Sequence, residues 1–166
     1  MAVISDKVIK AMNDRILNEE YSARLYKAMS ICLNYKGYGG ASALFEKYSK
    51  EEEEVHAGWA YSYLLDLDIR PTVPALTAPP KEFKDLPTII QMAYEHEITI
   101  TGQCNSLAKL AVEEGDYMTL ALAQRYLREQ SEEISKVTNL LDQLDAFGTS
   151  PEALRLLDNY MGELAK

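Results

Sequence analysis

The sequence predicts an all-α fold: a four-helix bundle with one long crossover connection and a short fifth helix at its end. Three observations support this prediction. Proline and glycine are sparse, with 6 and 8 residues among 166, and they leave four segments long enough for seven or eight helical turns. Apolar residues recur within these segments at spacings of three and four. The connections between the segments run short, long and short, which joins two antiparallel hairpins by a crossover.

Capping residues and helix breakers set the predicted boundaries. Ser5 is a suitable N-cap for the first helix, and the glycine-rich turn at 36–40 ends it. Ser150-Pro151-Glu152 combines an N-cap, a proline at the first helical position and an early acid, which starts the last helix. The predicted helices cover 5–34, 41–67, 87–114, 116–147 and 150–162. We expect all of 1–166 to form a single domain.

The connection between the second and third helices contains five prolines within 68–87 and therefore cannot be helical. A bundle topology explains its length. Two parallel helices of 27 residues need a connection that travels roughly 40 Å, and twenty extended residues can span about 60 Å. The prolines thus predict a crossover along the length of the bundle.

Composition and charge exclude several classes of function. The chain is 47% hydrophobic and 26% charged, with a net charge of −9, which argues against nucleic acid or an anionic membrane surface as partner. The first residues do not resemble a signal peptide, and no stretch reaches a membrane span, so we expect a cytoplasmic protein. Cys32 and Cys104 form no CxxC pair, and we expect both to be buried and reduced.

Polar side chains interrupt the apolar seams of the predicted helices, each near the midpoint of its helix. They are Glu19 in the first helix, Glu97 in the third, and Gln130 and Glu133 in the fourth. The midpoints of helices in an antiparallel bundle lie at about the same depth. The four side chains are therefore expected to share one layer.

The second helix contributes less regularly to this layer. His56 lies on its inward face, and either Glu52 or Glu53 completes that face, with strict spacing favouring Glu52. The alternative, Glu53-Glu54-Val55-His56, is a Glu-x-x-His unit that places a carboxylate and an imidazole on one helical face. Di-iron bundles use such units.

Several carboxylates in one buried layer need cations, because a buried carboxylate without a partner costs several kcal/mol. Oxygen-rich ligation with one imidazole favours iron over zinc or calcium. Two alternatives remain open: a di-iron oxidase that acts on an organic substrate, and a metal-free helical bundle that serves as an interaction protein.

Four motifs resemble those of the bacterial non-haem ferritins, and the resemblance extends over essentially the whole chain. They are the first-helix motif Asn18 to Tyr26, the second-helix motif Lys50 to Ala57, the third-helix motif Tyr94 to Glu97, and the fourth-helix motif Arg128 to Glu133. The resemblance implies a ferritin-like four-helix bundle that oxidises Fe(II) with dioxygen or hydrogen peroxide. It also implies storage of the ferric mineral in a cage of 24 subunits.

The resemblance also implies roles for individual residues. Glu53 would bridge two irons in each subunit. Glu19 and His56 would complete one iron position, Glu97 and Glu133 the other, and Gln130 would line the second position. Tyr26 would orient a ligand or donate an electron, and Glu52, Glu129 and Glu132 would form a weaker third iron site. Glu54 stands where a haem-ligating methionine would be, so no haem is expected.

Two further expectations concern residues outside the layer. His96 follows the helical period away from Glu97, so we expect it on the surface. The fifth helix carries apolar residues along one side, and we expect that side to pack with symmetry mates of a closed shell. Those residues are Leu154, Leu157, Met161 and Leu164.

Overall fold

The fold is a four-helix bundle with a long crossover and a C-terminal helix, as the sequence predicts. The computed structural model describes residues 3–166, apart from the side chain of Glu53. The helices are α1 Asp6–Tyr35, α2 Gly39–Glu51, α3 Ala57–Asp66, α4 Leu86–Glu113, α5 Tyr117–Phe147 and α6 Pro151–Leu164. None of these described helices is both long and apolar enough to cross a membrane.

The second helix of the bundle consists of α2 and α3, which a π-helical turn at Glu52–His56 joins into one rod. A continuous α-helix over 41–67 was predicted, so the π-helical turn is a departure from that prediction. Such a turn accommodates one extra residue, and π-bulges are frequent at functional sites. Here it directs Glu52 and His56 toward the same part of the interior, with His56 Nδ1 3.1 Å from Glu52 Oε2.

Side-chain caps start most of the helices. Ser5 and Ser150 cap α1 and α6 as predicted, and Asp85 and Asp116 cap α4 and α5. Each accepts a hydrogen bond from the backbone three residues later, which satisfies an otherwise unpaired N–H. These caps hold the starts of both hairpins.

Three apolar clusters fill the bundle, and the polar layer lies between the two larger ones. One cluster contains Phe45 and Ile90, and the other contains Met12 and Leu64. Along every bundle helix, the residues of the polar layer fall between residues of these two clusters. The polar side chains are thus enclosed by apolar packing at both ends.

The C-terminal helix packs against its own chain. Leu157 and Met161 are fully buried, within the apolar cluster that includes residues of α2. The expectation that this side needs symmetry mates to cover it is therefore wrong for these residues. The two residues are buried because α6 packs closely against α2. A Cβ at Gly162 would lie 3.2 Å from Gly40 Cα, so two residues without side chains allow these helices to meet.

Asp158 of α6 also caps α2. The N-cap position of α2, Tyr38, provides no side-chain hydrogen bond, but the backbone N–H of Ala41 donates to Asp158 Oδ1 at 2.8 Å. This carboxylate lies at the positive end of the helix, where a negative charge is favourable. The contact therefore ties α6 to the start of the second helix.

Substitution of Gly40 by alanine should detach α6 and destabilise the fold. A Cβ at Gly40 would overlap the carbonyl oxygen of Asp158, whereas nothing lies within 4 Å of a Cβ at the neighbouring Gly39. We expect Gly40→Ala to lower the free energy of unfolding by about 2 kcal/mol or more. Gly39→Ala is the matched control and should be neutral or stabilising by up to about 1 kcal/mol. Thermal unfolding that is equal in the two variants would contradict this packing.

Candidate metal centre

Six polar side chains meet in the middle of the bundle, and each is at most 5% exposed. They are Glu19 from α1, Glu52 and His56 from the π-helical turn, Glu97 from α4, and Gln130 and Glu133 from α5. Every bundle helix thus contributes to one buried layer. The predicted polar residues of the seams are all inside it.

Two overlapping groups of possible metal-binding atoms lie in this layer. Glu19, Glu52 and His56 form the first group, and His56, Glu129 and Glu133 form the second. Within each group, one donor atom from every residue lies within 4.8 Å of the others. We call them the Glu19 group and the Glu133 group.

The imidazole of His56 belongs to both groups. Its Nδ1 lies 3.1 Å from Glu52 Oε2 and its Nε2 lies 3.6 Å from Glu129 Oε1. The two ring nitrogens therefore face carboxylates on opposite sides. Tyr126 holds the backbone at this point, because its hydroxyl donates to the carbonyl oxygen of His56 at 2.6 Å.

Glu97 lies in the layer but in neither group. The hydroxyl of Tyr26 donates to Glu97 Oε1, and Gln130 Nε2 donates to Glu97 Oε2 at 2.9 Å. Both oxygens are thus held by hydrogen bonds. This brings Tyr26, which sequence resemblance assigned to the site, into direct contact with a predicted ligand.

His96 is half-buried, so the prediction of a surface histidine is wrong. Its Nε2 lies 2.8 Å from Ser22 Oγ, and its ring meets the Tyr26 ring edge-on at 5.7 Å between centroids. Burial lowers the pKa of His96. The helical period places His96 to one side of Glu97, but α1 partly covers that side.

The acidic residues of the predicted third site lie in different surroundings. Glu52 points into the buried layer, Glu129 is partly exposed beside His56, and Glu132 is exposed. The side chain of Glu53 lies outside the described residues. Glu52 thus occupies the inward face that strict spacing favoured, and the bridging role of Glu53 and the third site stay predictions.

Two cations that the sequence reasoning missed pair with carboxylates of the layer. Arg15 is 2% exposed, and its Nε lies 2.7 Å from Glu19 Oε1. Lys136 Nζ lies 2.8 Å from Glu133 Oε1. In each case a basic residue stands three or four positions from a seam glutamate, and this helical spacing was the available signal.

Burial changes the protonation of the layer. It raises the pKa of Glu19 well above its usual value, and it raises the pKa of Glu52 to about 8, with the Glu97 and Glu133 carboxylates acting in the same direction. It also raises the pKa of Glu133, which Lys136 partly offsets. The Glu52 carboxyl group therefore holds a proton near neutral pH that an incoming cation would displace.

The donor set suits iron and similar divalent ions. Carboxylate oxygens with one imidazole bind manganese, iron and zinc, and each of the two groups combines such carboxylates with His56. Glu19 Oε2 is buried and accepts no hydrogen bond from the described residues. Such an unpaired acceptor is expected where a cation belongs.

Proteins of similar sequence are named ferritins. The family model of the ferritin-like domain matches residues 9–147. A probable bacterial non-heme ferritin-like protein of Haemophilus influenzae is 32% identical over 163 residues, 98% of each chain. A bacterial non-heme ferritin of Escherichia coli is 31% identical over 162 residues, again 98% of each.

A solved structure is similar over the same length. The open pore ferritin from the hyperthermophilic archaeon Archaeoglobus fulgidus superimposes with a TM-score of 0.93 and 30% sequence identity, covering 97% of this chain and 98% of that one. Sequence, fold and buried polar layer agree, and the chain belongs to the bacterial non-haem ferritin family.

Proposed function

We propose that this protein binds two ferrous ions per subunit in the buried layer, oxidises them and stores the ferric product. The observation that carries the proposal is the pair of adjacent donor groups that share His56 within an otherwise apolar bundle. The relatives are named ferritins, which supports iron storage at the level of the family. The oxidation step is inferred from the site.

The Glu19 group and the Glu133 group are the proposed iron positions. In this geometry, Glu19, Glu52 and His56 hold one ion, and Glu129 and Glu133 hold the other beside the same imidazole. Family resemblance adds Glu97 and Gln130 to the second position and Glu53 as a bridge. Zinc would bind the same atoms and inhibit, because such ligands do not exclude it by affinity.

The chemistry follows from two reducing ions held next to each other. Each Fe²⁺ gives one electron to dioxygen or to hydrogen peroxide, and the negative carboxylates stabilise the Fe³⁺ product. The proton on Glu52 leaves when iron enters. The hydroxyl of Tyr26 donates to Glu97, and its proposed role is to orient this carboxylate or to donate an electron.

Loss of a ligand from the layer should slow iron oxidation. We expect Glu52→Ala and His56→Ala each to reduce the initial rate of Fe²⁺ oxidation by more than about tenfold, because the loss of even an outer contact costs ten- to a hundredfold. The absorbance of the ferric product after mixing anaerobic Fe²⁺ with oxygenated protein measures this rate.

Two further variants sharpen the assignment. Glu54→Ala removes an exposed carboxylate from the same π-helical turn and should oxidise iron at the wild-type rate. Glu53→Ala tests the bridging role that resemblance implies, and slow oxidation in that variant would support it. Wild-type rates in both Glu52→Ala and His56→Ala would refute the proposed positions.

The metal-free protein should lose stability as the pH rises. Burial raises the pKa of Glu52 to about 8 from a usual value of 4.5, so the native state holds a proton that the unfolded chain releases. This contribution is complete below about pH 4.5 and is lost as the pH rises through about 8. The melting temperature should therefore fall between about pH 6 and 8.5.

A variant without the titrating group checks the cause. Glu52→Gln should flatten this pH dependence, since an amide does not titrate, whereas Glu132→Gln at an exposed position should leave it unchanged. The same slope in the Glu52→Gln variant and the wild type would show that another group is responsible.

Storage requires an enclosed volume, and we propose that 24 copies form the shell. Family membership supports this assembly, whereas Leu157 and Met161 of α6 are covered by their own chain. Light scattering should give a mass near 24 times 18.7 kDa. A monomer or dimer as the sole species at all concentrations would contradict a cage and leave the oxidation chemistry intact.

A further inference from the structure

A fixed positive charge lies at one end of the buried layer. Arg15 is 2% exposed, its Nε lies 2.7 Å from Glu19 Oε1, and its Nη1 donates to Cys104 Sγ at 3.3 Å. Its guanidinium carbon also lies 5.5 Å from the centre of the Tyr126 ring. The guanidinium is thus enclosed by α1, α4 and α5.

This cation keeps its charge when a metal ion arrives. A guanidinium stays protonated under all ordinary conditions, and the side chain of Arg15 is 2% exposed, although it borders a cleft that Asn18 and Gln103 also line. Its Nη2 is buried and donates no hydrogen bond to the described residues. Its ion pair among the described residues is with Glu19 Oε1, and Glu19 is also a member of the Glu19 group.

The positive charge at the other end of the layer is more exposed to solvent. Lys136 pairs with Glu133, but its side chain is 36% exposed. A lysine has a long flexible stem, so its ammonium can swing into water when a metal ion takes the carboxylate. The charge that balances Glu133 is therefore removable, and the charge that balances Glu19 is permanent.

We propose that Arg15 is a built-in counter-cation that weakens metal binding at the Glu19 group and so makes the two positions unequal. A divalent ion there must share Glu19 with the guanidinium and is repelled by it at short range in a medium of low dielectric constant. The Glu133 group then fills first and holds its ion more tightly. This inference rests on the proposed function.

A weak position beside a tight one has a consequence for storage. An ion at the Glu19 group binds with less free energy and is released more readily. Arg15 also balances the buried Glu19 in the metal-free state, where an unpaired charge would be strongly destabilising. Arg15 is therefore a positioning residue, since it acts on the metal ion through a ligand.

Titration with Co²⁺ under equilibrium conditions tests the inference without iron turnover. The assembled, metal-free, full-length protein is titrated with Co²⁺ alone, with calorimetry and visible absorption as readouts. The wild type should bind in two steps of unequal affinity. Arg15→Met should tighten the weaker step by on the order of tenfold or more. If that variant does not fold, Arg15→Gln is measured in its place.

Two controls separate charge from structure. Arg15→Lys keeps the positive charge and should leave the weaker step close to the wild type. Arg24→Met removes an exposed arginine from the same helix and should change neither step, which controls for net charge. A purely structural role for Arg15 predicts weaker Co²⁺ binding when it is removed.

The outcomes distinguish this inference from the proposed function. Weaker or unchanged binding in the Arg15→Met and Arg15→Gln variants would overturn the inference while leaving the metal centre in place. If His56→Ala gives the same isotherm as the wild type, the ion does not bind in the layer, and the proposed function and the inference both fail.

Discussion

Enclosing several carboxylates in one layer of an apolar bundle is the constraint on which the rest of this structure depends. Glu19, Glu52, Glu97 and Glu133 are each at most 5% exposed, and each must be neutralised, hydrogen-bonded or bound to a cation. The chain uses all of these means. Arg15 and Lys136 supply charge, Tyr26 and Gln130 supply hydrogen bonds to Glu97, and burial keeps protons on the remaining groups. The apolar clusters at both ends keep water away and make these requirements strict.

The π-helical turn shows how local geometry selects among similar residues. Four successive acids, Glu51 to Glu54, offer four possible inward carboxylates. The turn at Glu52–His56 adds a residue to the rod and leaves Glu52 facing Glu19 and His56. A π-helical turn is rare, and its hydrogen bonds depend on the packing of neighbouring helices. Sequence spacing therefore pointed to the correct face but did not predict the turn.

The sequence predicted the fold and most of the buried layer for reasons that are local. Proline, glycine and capping residues act within a few positions, so the helices and the crossover were predictable. The glutamates at Glu19, Glu97 and Glu133 were visible because each interrupts an apolar period. Arg15, His96 and α6 were misjudged or missed because their surroundings come from distant parts of the chain. The guanidinium of Arg15 is covered by α4 and α5, and His96 is partly covered by α1. The α6 helix packs against α2 where Gly40 and Gly162 meet.

We propose that the buried layer is where this protein holds iron. Crystals of the metal-free protein soaked in Fe²⁺ without oxygen, with diffraction data collected at the iron absorption edge, test it most directly. We expect two anomalous peaks per subunit inside the bundle, one among Glu19, Glu52 and His56 and the other beside Glu129 and Glu133. Iron peaks confined to the protein surface, with none inside the layer at saturating Fe²⁺, would contradict it.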